Sequence, residues 1–452
     1  MPALLRRDFL PLLPTAAALS AQRPASAAGR PNIILIVTDD QGIGDLGCYG
    51  DPHARTPHID RLAASGVRFT QWCSNAPICS ASRAAILTGK YPDRTGVKGA
   101  LPSRPAFDVE GLRPTEVTLA RLLQQRGYRT AALGKWHLGS APHSRPRAQG
   151  FDQFFGWYSG WLDAYSHRYY TLGGNQGLIF HDLWRDDREV FEEPAYMTEL
   201  LGREARAFLA RQSAKQPFFL YLCFGAPHYS MMSPRQYLER FPATLPRDRR
   251  EHLAMVAAVD DVAGHLVSQL SAQKLADNTV VVFVSDNGAT REVRASHDGK
   301  PYAGGSNAPR RGYKQGLFEG GVNVPAILHA PGRVQPGVWR RPAMSMDLLP
   351  TLLALADPGS VPPKDIDGHN LLAEPRREHE RLFWSFGESR AVRMGDWKLI
   401  LNPPNFPGEE VNTPVWLSDL EADPGEKVNL AAREPDRVRR MTELIREWER
   451  GL

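Results

Sequence analysis

The sequence predicts an α/β protein, with a mostly parallel sheet between helices and a small antiparallel sheet with one closing helix behind it. Three observations carry this. Apolar, β-branched runs of strand length recur from Asn32 to Ala330, helical patterns separate them, and polar residues follow the runs instead of interrupting them. A strand covered on both faces reads as a continuous apolar run, and strand–helix alternation is how a chain returns to add a parallel neighbour.

Asn32–Thr38 (NIILIVT) is the first strand expected, followed by Arg129–Leu133, Pro217–Phe224 (PFFLYLCF), Thr279–Ser285 (TVVVFVS) and Val324–Ala330. Helices are expected near His58–Ser65, Ser82–Thr88, Val117–Gln125, Ala195–Gln212 and His252–Gln273. After the apolar segment Leu348–Ala356, the Pro/Gly-rich stretch 357–363 marks a boundary or a surface connection. Beyond Glu374 the runs shorten to Leu382–Phe386, Ala391–Arg393, Trp397–Leu401 and Val415–Leu417, and Glu434–Arg450 closes as a helix. The expected division is therefore a leader at 1–27, a large domain at 28–373 and an α+β subdomain at 374–452.

With 452 residues, 42% hydrophobic and 23% charged, the composition excludes collagen, disulfide mini-proteins and disordered charged tails. A formal charge of +5 would fit nucleic acid or an anionic membrane. Residues 1–27 hold Arg6, Arg7 and Arg23 against Asp8, so their removal leaves only +3, and no nucleic-acid partner is expected. Arg6-Arg7-Asp8-Phe9-Leu10 resembles a twin-arginine export signal, and Ala25-Ser26-Ala27 offers a cleavage site; a general secretory leader is the alternative. Either leader makes the protein periplasmic or secreted. No later apolar run is read as a transmembrane segment. Four cysteines, Cys48, Cys73, Cys79 and Cys223, are too few for a disulfide scaffold, which leaves room for one to serve chemistry.

Polar groups stand just past the strands: Asp39-Asp40 after the first, Lys135-Trp136-His137 after Arg129–Leu133, His228 after Pro217–Phe224, and Asp286-Asn287-Gly288 after Thr279–Ser285. Adjacent carboxylates repel unless a cation neutralises them, and an all-oxygen set suits a hard cation such as Ca²⁺ or Mg²⁺. Each group alone is an ordinary turn sequence or a structural histidine. Their convergence at one sheet edge is what points to a site. In Pro77–Gly89, Ser82 is expected to cap a short helix that Gly89 ends, with Cys79 at its amino end, where N–H groups favour anions. The bland alternative is a buried apolar cysteine beside a surface arginine.

Cys79-Ser80-Ala81-Ser82-Arg83 with Thr88-Gly89-Lys90 resembles the signature of the type I, formylglycine-dependent sulfatases of the alkaline phosphatase superfamily. The second family signature stands as Gly134-Lys135-Trp136-His137-Leu138-Gly139, and Ala226-Pro227-His228, Ser285–Gly288 and Lys314–Gly321 continue the likeness. The segments between these blocks most resemble sulfatases of the arylsulfatase A and N-acetylgalactosamine-6-sulfatase type. The resemblance implies an alkaline-phosphatase-like fold and hydrolysis of sulfate monoesters, of sulfated carbohydrates or aryl sulfates. It implies that a maturation enzyme oxidises Cys79 to Cα-formylglycine. Asp39, Asp40, Asp286 and Asn287, with the oxidised Cys79, would hold Ca²⁺ or Mg²⁺. It further implies that Arg83 fixes the nucleophile, that Lys135 and Lys314 bind sulfate, that His228 is the general acid and that His137 is the base. Ala81 stands where proline is more frequent in the family, which leaves the identity of the maturation enzyme open.

For the sugar, the stretch Phe154–Tyr170, including Ser159, Asp163 and His167, either stacks on substrate or is packed by its own aromatics. Ser296-His297 and Asn307–Arg311 are further candidates for lining the pocket, with Arg310 or Arg311 meeting an acidic sugar. Two other functions stay open on the sequence: a phosphoesterase or phosphonate monoester hydrolase of the same superfamily, and a non-catalytic sulfoglycan-binding protein if Cys79 is left unconverted.

Overall fold

The structure, a computed structural model, describes residues 29–171, 177–375, 377–406 and 409–452. The expected leader at 1–27 lies outside the described residues.

Ten strands form the main sheet. In chain order they are β1 (Asn32–Thr38), β2 (Val67–Phe69), β3 (Arg129–Lys135), β4 (Gln153–Trp157), β5 (Trp184–Arg185), β6 (Arg188–Glu189), β7 (Phe218–Cys223), β8 (Thr279–Ser285), β9 (Ala326–His329) and β10 (Gly337–Trp339). Their order across the sheet is β10-β2-β9-β8-β1-β7-β3-β4-β5-β6. The central strands β8, β1, β7, β3 and β4 are parallel, as the continuous apolar runs require. The run at Val324–Ala330 is a strand, but β9 lies antiparallel to β8 and to β2. A fully buried strand carries no signal of direction, which is why its sequence did not reveal this.

Side chains alternate between the two faces. Ile34, Ile36, Leu220, Leu222 and Phe283 pack under α1 (Pro57–Ala64), α4 (Met197–Ala210) and α5 (Arg247–Ala272). Ile33, Leu35, Val37, Phe219, Tyr221 and Val282 pack under α2 (Cys79–Thr88), α3 (Leu119–Gln124) and α6 (Leu348–Ala356). Helix α5 departs from the sequence expectation twice. It begins at Arg247, and it is long and apolar enough to cross a membrane, with a mean hydropathy of 1.2 in its best window. Because 72% of that window is buried inside the protein against α1 and α4, it is a core helix.

The chain ends in a four-stranded antiparallel sheet, β11 (Leu382–Phe386), β12 (Ser389–Met394), β13 (Trp397–Leu401) and β14 (Val415–Asp419), with α7 (Pro435–Arg450) against it. Its core runs into the larger body, since Val392, Leu399, Leu417, Met441 and Ile445 pack with Cys73, Leu317, Phe318 and Met344. Beneath this seam Glu319 is fully buried, 2.7 Å from Lys398 and 3.7 Å from Arg393.

Candidate active site

Strand register sets the site. Thr38 pairs with Ser285, so Asp39 and Asp286 leave the sheet side by side. Val37 pairs with Cys223 and Cys223 with Gly134, which puts Lys135 one row further along the same edge. His228 follows β7 after a short turn. The chain beyond β8 turns sharply because Gly288 has no side chain; a Cβ there would stand 1.8 Å from the Gly320 carbonyl oxygen. Asp40 takes a left-handed φ of 60°, and its N–H donates to Asp286 Oδ1 at 3.2 Å.

Helix α2 brings the cysteine. It starts at Cys79, and Gly89 ends it with φ 69°, as expected. Ser82 is not the cap. Its N–H already donates to Ile78 O at 3.1 Å, so Ile78 holds the cap position and Cys79 opens the first turn. Lys314 arrives on a loop whose backbone is tied down by Lys314 N–H to Ala289 O (3.1 Å) and Gln315 N–H to Pro77 O (2.8 Å).

These elements converge. Cys79 Sγ lies 3.3 Å from Asp39 Oδ1 and 4.0 Å from Asp40 Oδ1. Lys135 Nζ donates to Asp39 Oδ2 at 2.6 Å, and Lys314 Nζ to Asp40 Oδ2 at 2.8 Å. Arg83 bonds Asp286 Oδ2 through Nε (2.9 Å) and the Lys135 carbonyl through a terminal nitrogen (3.2 Å). Asn287 donates to Asp40 Oδ1 at 2.7 Å, and His228 Nε2 stands 3.6 Å from Asp40 Oδ2. All of these side chains are buried. His137 is buried too, held by its Nε2 to the Leu101 carbonyl at 3.1 Å and confined by Gly160, where a Cβ would meet its ring at 2.9 Å.

Burial and its Asp39 neighbour push the Cys79 thiol well above its ordinary range. That environment disfavours the thiolate, the nucleophilic form, despite the residue's place at a helix amino end. Burial also raises Asp40, against the pull of Lys314, and raises Asp286, which additionally faces Asp39. His137 falls well below the ordinary histidine range through burial and Lys135, and His228 does so through burial and Lys314.

The donor set fits a divalent cation. Asp39, Asp40, Cys79 and His228 each bring a ligand atom within 4.8 Å of the others. Asn287 Oδ1 is buried without a hydrogen-bond partner, a free lone pair at the same edge. Asp286 is engaged by Arg83 on one oxygen and by the Asp40 N–H on the other.

The expected sugar contacts fare differently. Phe154, Phe155 and Trp157 belong to β4 and the sheet core, so they pack the protein and do not stack on a ligand. Ser159 is buried, with its N–H (2.8 Å) and its hydroxyl both donated to Asp182. Asp163 is half-buried and accepts the N–H groups of Tyr165 and Ser166 on Oδ1, and His167 is buried against the Ala195 carbonyl. His297 is exposed, its N–H donating to Asp248, and among the described residues no hydrogen bond or ion pair joins it to the carboxylates. Asn307 clamps the backbone at Ala289 and Gly312. Arg310 bonds the Pro424 carbonyl, and Arg311 bonds Glu426 O and lies over Phe318 and Trp416. These two arginines tie the loop before Lys314 to the chain that follows β14.

Sequence reasoning missed other residues at the edge. Tyr229 has its ring 3.8 Å from that of His228, and Glu292 lies 3.9 Å from Lys314. A cleft of 540 Å³ opens beside Lys314, lined by Arg291, Glu292, Gln315, Phe386, Glu388 and Asn402. No local pattern marks residues that meet only across the seam with the C-terminal sheet.

The family profile described as Sulfatase matches residues 31–358. The chain is 34% identical to the N-acetylgalactosamine-6-sulfatase of Homo sapiens over 468 residues, covering 93% of this chain and 86% of that protein. It is likewise 34% identical to the arylsulfatase A of Homo sapiens over 465 residues, with the same coverage of 93% and 86%. Among solved structures, Ps i-CgsB in complex with k-i-k-neocarrahexaose superposes with a TM-score of 0.81 at 32% identity, over 93% of this chain and 92% of that one. The fold, the converging strand ends and these matches agree: the chain belongs to the sulfatase family and is a sulfatase.

Proposed function

We propose that the protein hydrolyses sulfate monoesters of sulfated carbohydrates, using an oxidised Cys79 and a divalent cation. The observation that carries this reading is Cys79 at the first turn of α2, 3.3 Å from Asp39, amid buried carboxylates, two lysines and an arginine. A thiol among carboxylates is a weak nucleophile toward an anionic ester, whereas an aldehyde hydrate at that place has two hydroxyls to use. Oxidised to Cα-formylglycine and hydrated, it supplies one hydroxyl to attack sulfur and a second whose deprotonation expels sulfate. A bound Ca²⁺ or Mg²⁺, held by Asp39, Asp40, Asp286 and Asn287, would polarise a sulfate oxygen.

The remaining work falls to the chain's own residues. Three carboxylates balance Arg83, Lys135 and Lys314 in the described cluster. A divalent cation taking those carboxylates would free the lysines to hold the oxygens of an anionic sulfate ester. Hydrogen-bond partners assign the two imidazoles. The Leu101 carbonyl can only accept, so His137 carries its hydrogen on Nε2 and keeps Nδ1, which has no hydrogen-bond partner, as the lone pair of a base. His228 donates Nδ1–H to the Tyr229 carbonyl at 2.9 Å, which leaves Nε2 to deliver a proton to the leaving sugar oxygen.

Sugar rings would occupy the 540 Å³ cleft beside Lys314, a volume within the usual range for ligand sites. Carbohydrate chemistry in the names of the N-acetylgalactosamine-6-sulfatase and neocarrahexaose relatives supports that substrate class. The leader pattern at 1–27 supports export to the periplasm or beyond, and the division at residue 374 supports a separate α+β subdomain behind the catalytic body.

The test is hydrolysis of a panel of sulfated mono- and oligosaccharides, alongside an aryl sulfate and the matching aryl phosphate. Sulfate release from sugars and from the aryl sulfate is expected. A strong phosphate preference, or glycan binding without sulfate release by protein carrying the aldehyde, would refute the reading.

A further inference from the structure

Outside the carboxylate cluster, His167, His181 and Glu193 each place a ligand atom within 4.8 Å of the others. His167 is fully buried and His181 is 7% exposed. Each ring is oriented through one nitrogen only. His167 Nε2 lies 2.9 Å from the Ala195 carbonyl, which can only accept, so Nε2 bears the hydrogen and Nδ1 is a bare lone pair. That Nδ1 has no hydrogen-bond partner. His181 Nδ1 lies 2.8 Å from Glu189 Oε1 and donates to it, leaving Nε2 bare. Nε2 stands 3.4 Å from Glu193 Oε1 without making a hydrogen bond.

With His181 neutral, two buried lone pairs and the carboxylate of the more exposed Glu193 face one small space with no donor among them. Buried acceptors arranged this way are costly unless a cation sits between them. The arrangement has a second feature of metal sites: a histidine ligand whose far nitrogen donates to a carboxylate or a backbone carbonyl, which fixes both its tautomer and its direction. Glu189 and the Ala195 carbonyl fill those supporting places.

We propose that His167 Nδ1, His181 Nε2 and Glu193 bind a zinc ion at a second site, independent of the catalytic one. Two imidazoles and one carboxylate suit zinc, with water in the fourth position, whereas calcium favours all-oxygen sets. The ion would be a staple. Its ligands come from the two ends of a hairpin, Arg168–Tyr170 and Ile179–His181, in which Arg168 pairs with His181, and from the segment that leads into α4. Asp182, next to His181, accepts the N–H groups of Tyr158 and Ser159. The staple therefore holds the wall that carries Gly160, the residue confining His137.

Titrating the full-length protein with Co²⁺ as the spectroscopic probe, and with Zn²⁺ in competition, tests this. With Ca²⁺ in excess to fill the carboxylate site, wild type is expected to take up one equivalent of Co²⁺ with visible bands of nitrogen and oxygen coordination, and to lose them to Zn²⁺. Cys79→Ala keeps that equivalent. His167→Gln and His181→Gln abolish it, and Glu189→Gln weakens it by about tenfold or more. Glu193→Gln, at a partly exposed position and so compatible with folding, weakens it likewise. No uptake by wild type, equal uptake by the Glu193→Gln protein, or loss of the bands in Cys79→Ala overturns the proposal.

Discussion

His228 and His137 are alike in burial and in their depressed basicity, yet each is turned a different way by one backbone carbonyl. If His228 protonates the leaving oxygen, its importance depends on how much the leaving group needs that proton. His228→Ala should lower kcat on a sugar sulfate by about 100- to 10,000-fold, and far less on nitrophenyl sulfate, whose leaving phenolate is stable unprotonated. Comparing kcat for the two substrates in wild type and variant checks this. The pH dependence follows from the same residue. An acid must be protonated to act, and burial with Lys314 lowers the pKa of His228, so its contribution as acid is full below that pKa and lost as pH rises through it. The kcat/KM profile should therefore fall on the alkaline side starting below the ordinary histidine value of 6.5, and His228→Ala should flatten that limb. At this scale the sequence was informative where the chain is continuous. Asp39 and Asp286 directly follow strands, Lys135 ends one and His228 follows a turn, and apolar runs reveal where strands stop. The sequence did not show that Ser159, His297, Arg310 and Arg311 bond Asp182, Asp248, Pro424 and Glu426, because those partners are distant in sequence.

Elements fix these side chains by holding one another's ends. No side chain at its own cap position hydrogen-bonds the first turn of α1; Asp260 of α5 instead accepts the N–H groups of His58 and Ile59 at 3.0 and 2.7 Å. Asp260→Ala leaves both donors without that acceptor and should cost about 2 kcal/mol, read as a lower denaturant midpoint at unchanged m. Between sheet and subdomain, burial alone would raise Glu319, but Lys398 and Arg393 outweigh it and hold its carboxyl at about 2, against an ordinary 4.5. A lowered carboxyl stabilises the fold above its unfolded pKa and loses that contribution as pH falls toward the folded one. Stability of wild type should thus decline between about pH 4.5 and 2. Glu319→Gln should flatten that decline and, by stranding two buried cations, cost about 3 kcal/mol near neutrality; denaturation followed across pH checks both. The capping error at Ser82 belongs here too. Serine is a good cap by type, but the backbone reached helical geometry three residues earlier, a choice made by packing that composition does not record.

For the whole molecule, the run–helix alternation announced the parallel centre of the sheet, and the change to short runs announced the antiparallel tail. What it could not convey was the sheet's flanks. The short strands β2 and β10 pair only because distant segments meet, the short hairpin of β5 and β6 joins the sheet through a distant strand, β4, and β9 runs against its neighbours without a sequence signal. The same limit applied to α5, whose apolar length resembles a membrane span until the helices around it are seen. Positive charge proved to be local as well. The modest excess of +5 matters less than Arg83, Lys135 and Lys314 gathered at one edge. That edge has a purpose only if Cys79 is converted, so the central claim rests on the chemistry of one side chain. Mass spectrometry of the tryptic peptide Phe69–Arg83 from active protein, with and without an aminooxy trapping reagent, reads it directly. The account predicts an aldehyde at position 79 that the reagent captures, in proportion to sulfate-releasing activity; an unmodified Cys79 thiol throughout fully active protein would contradict it.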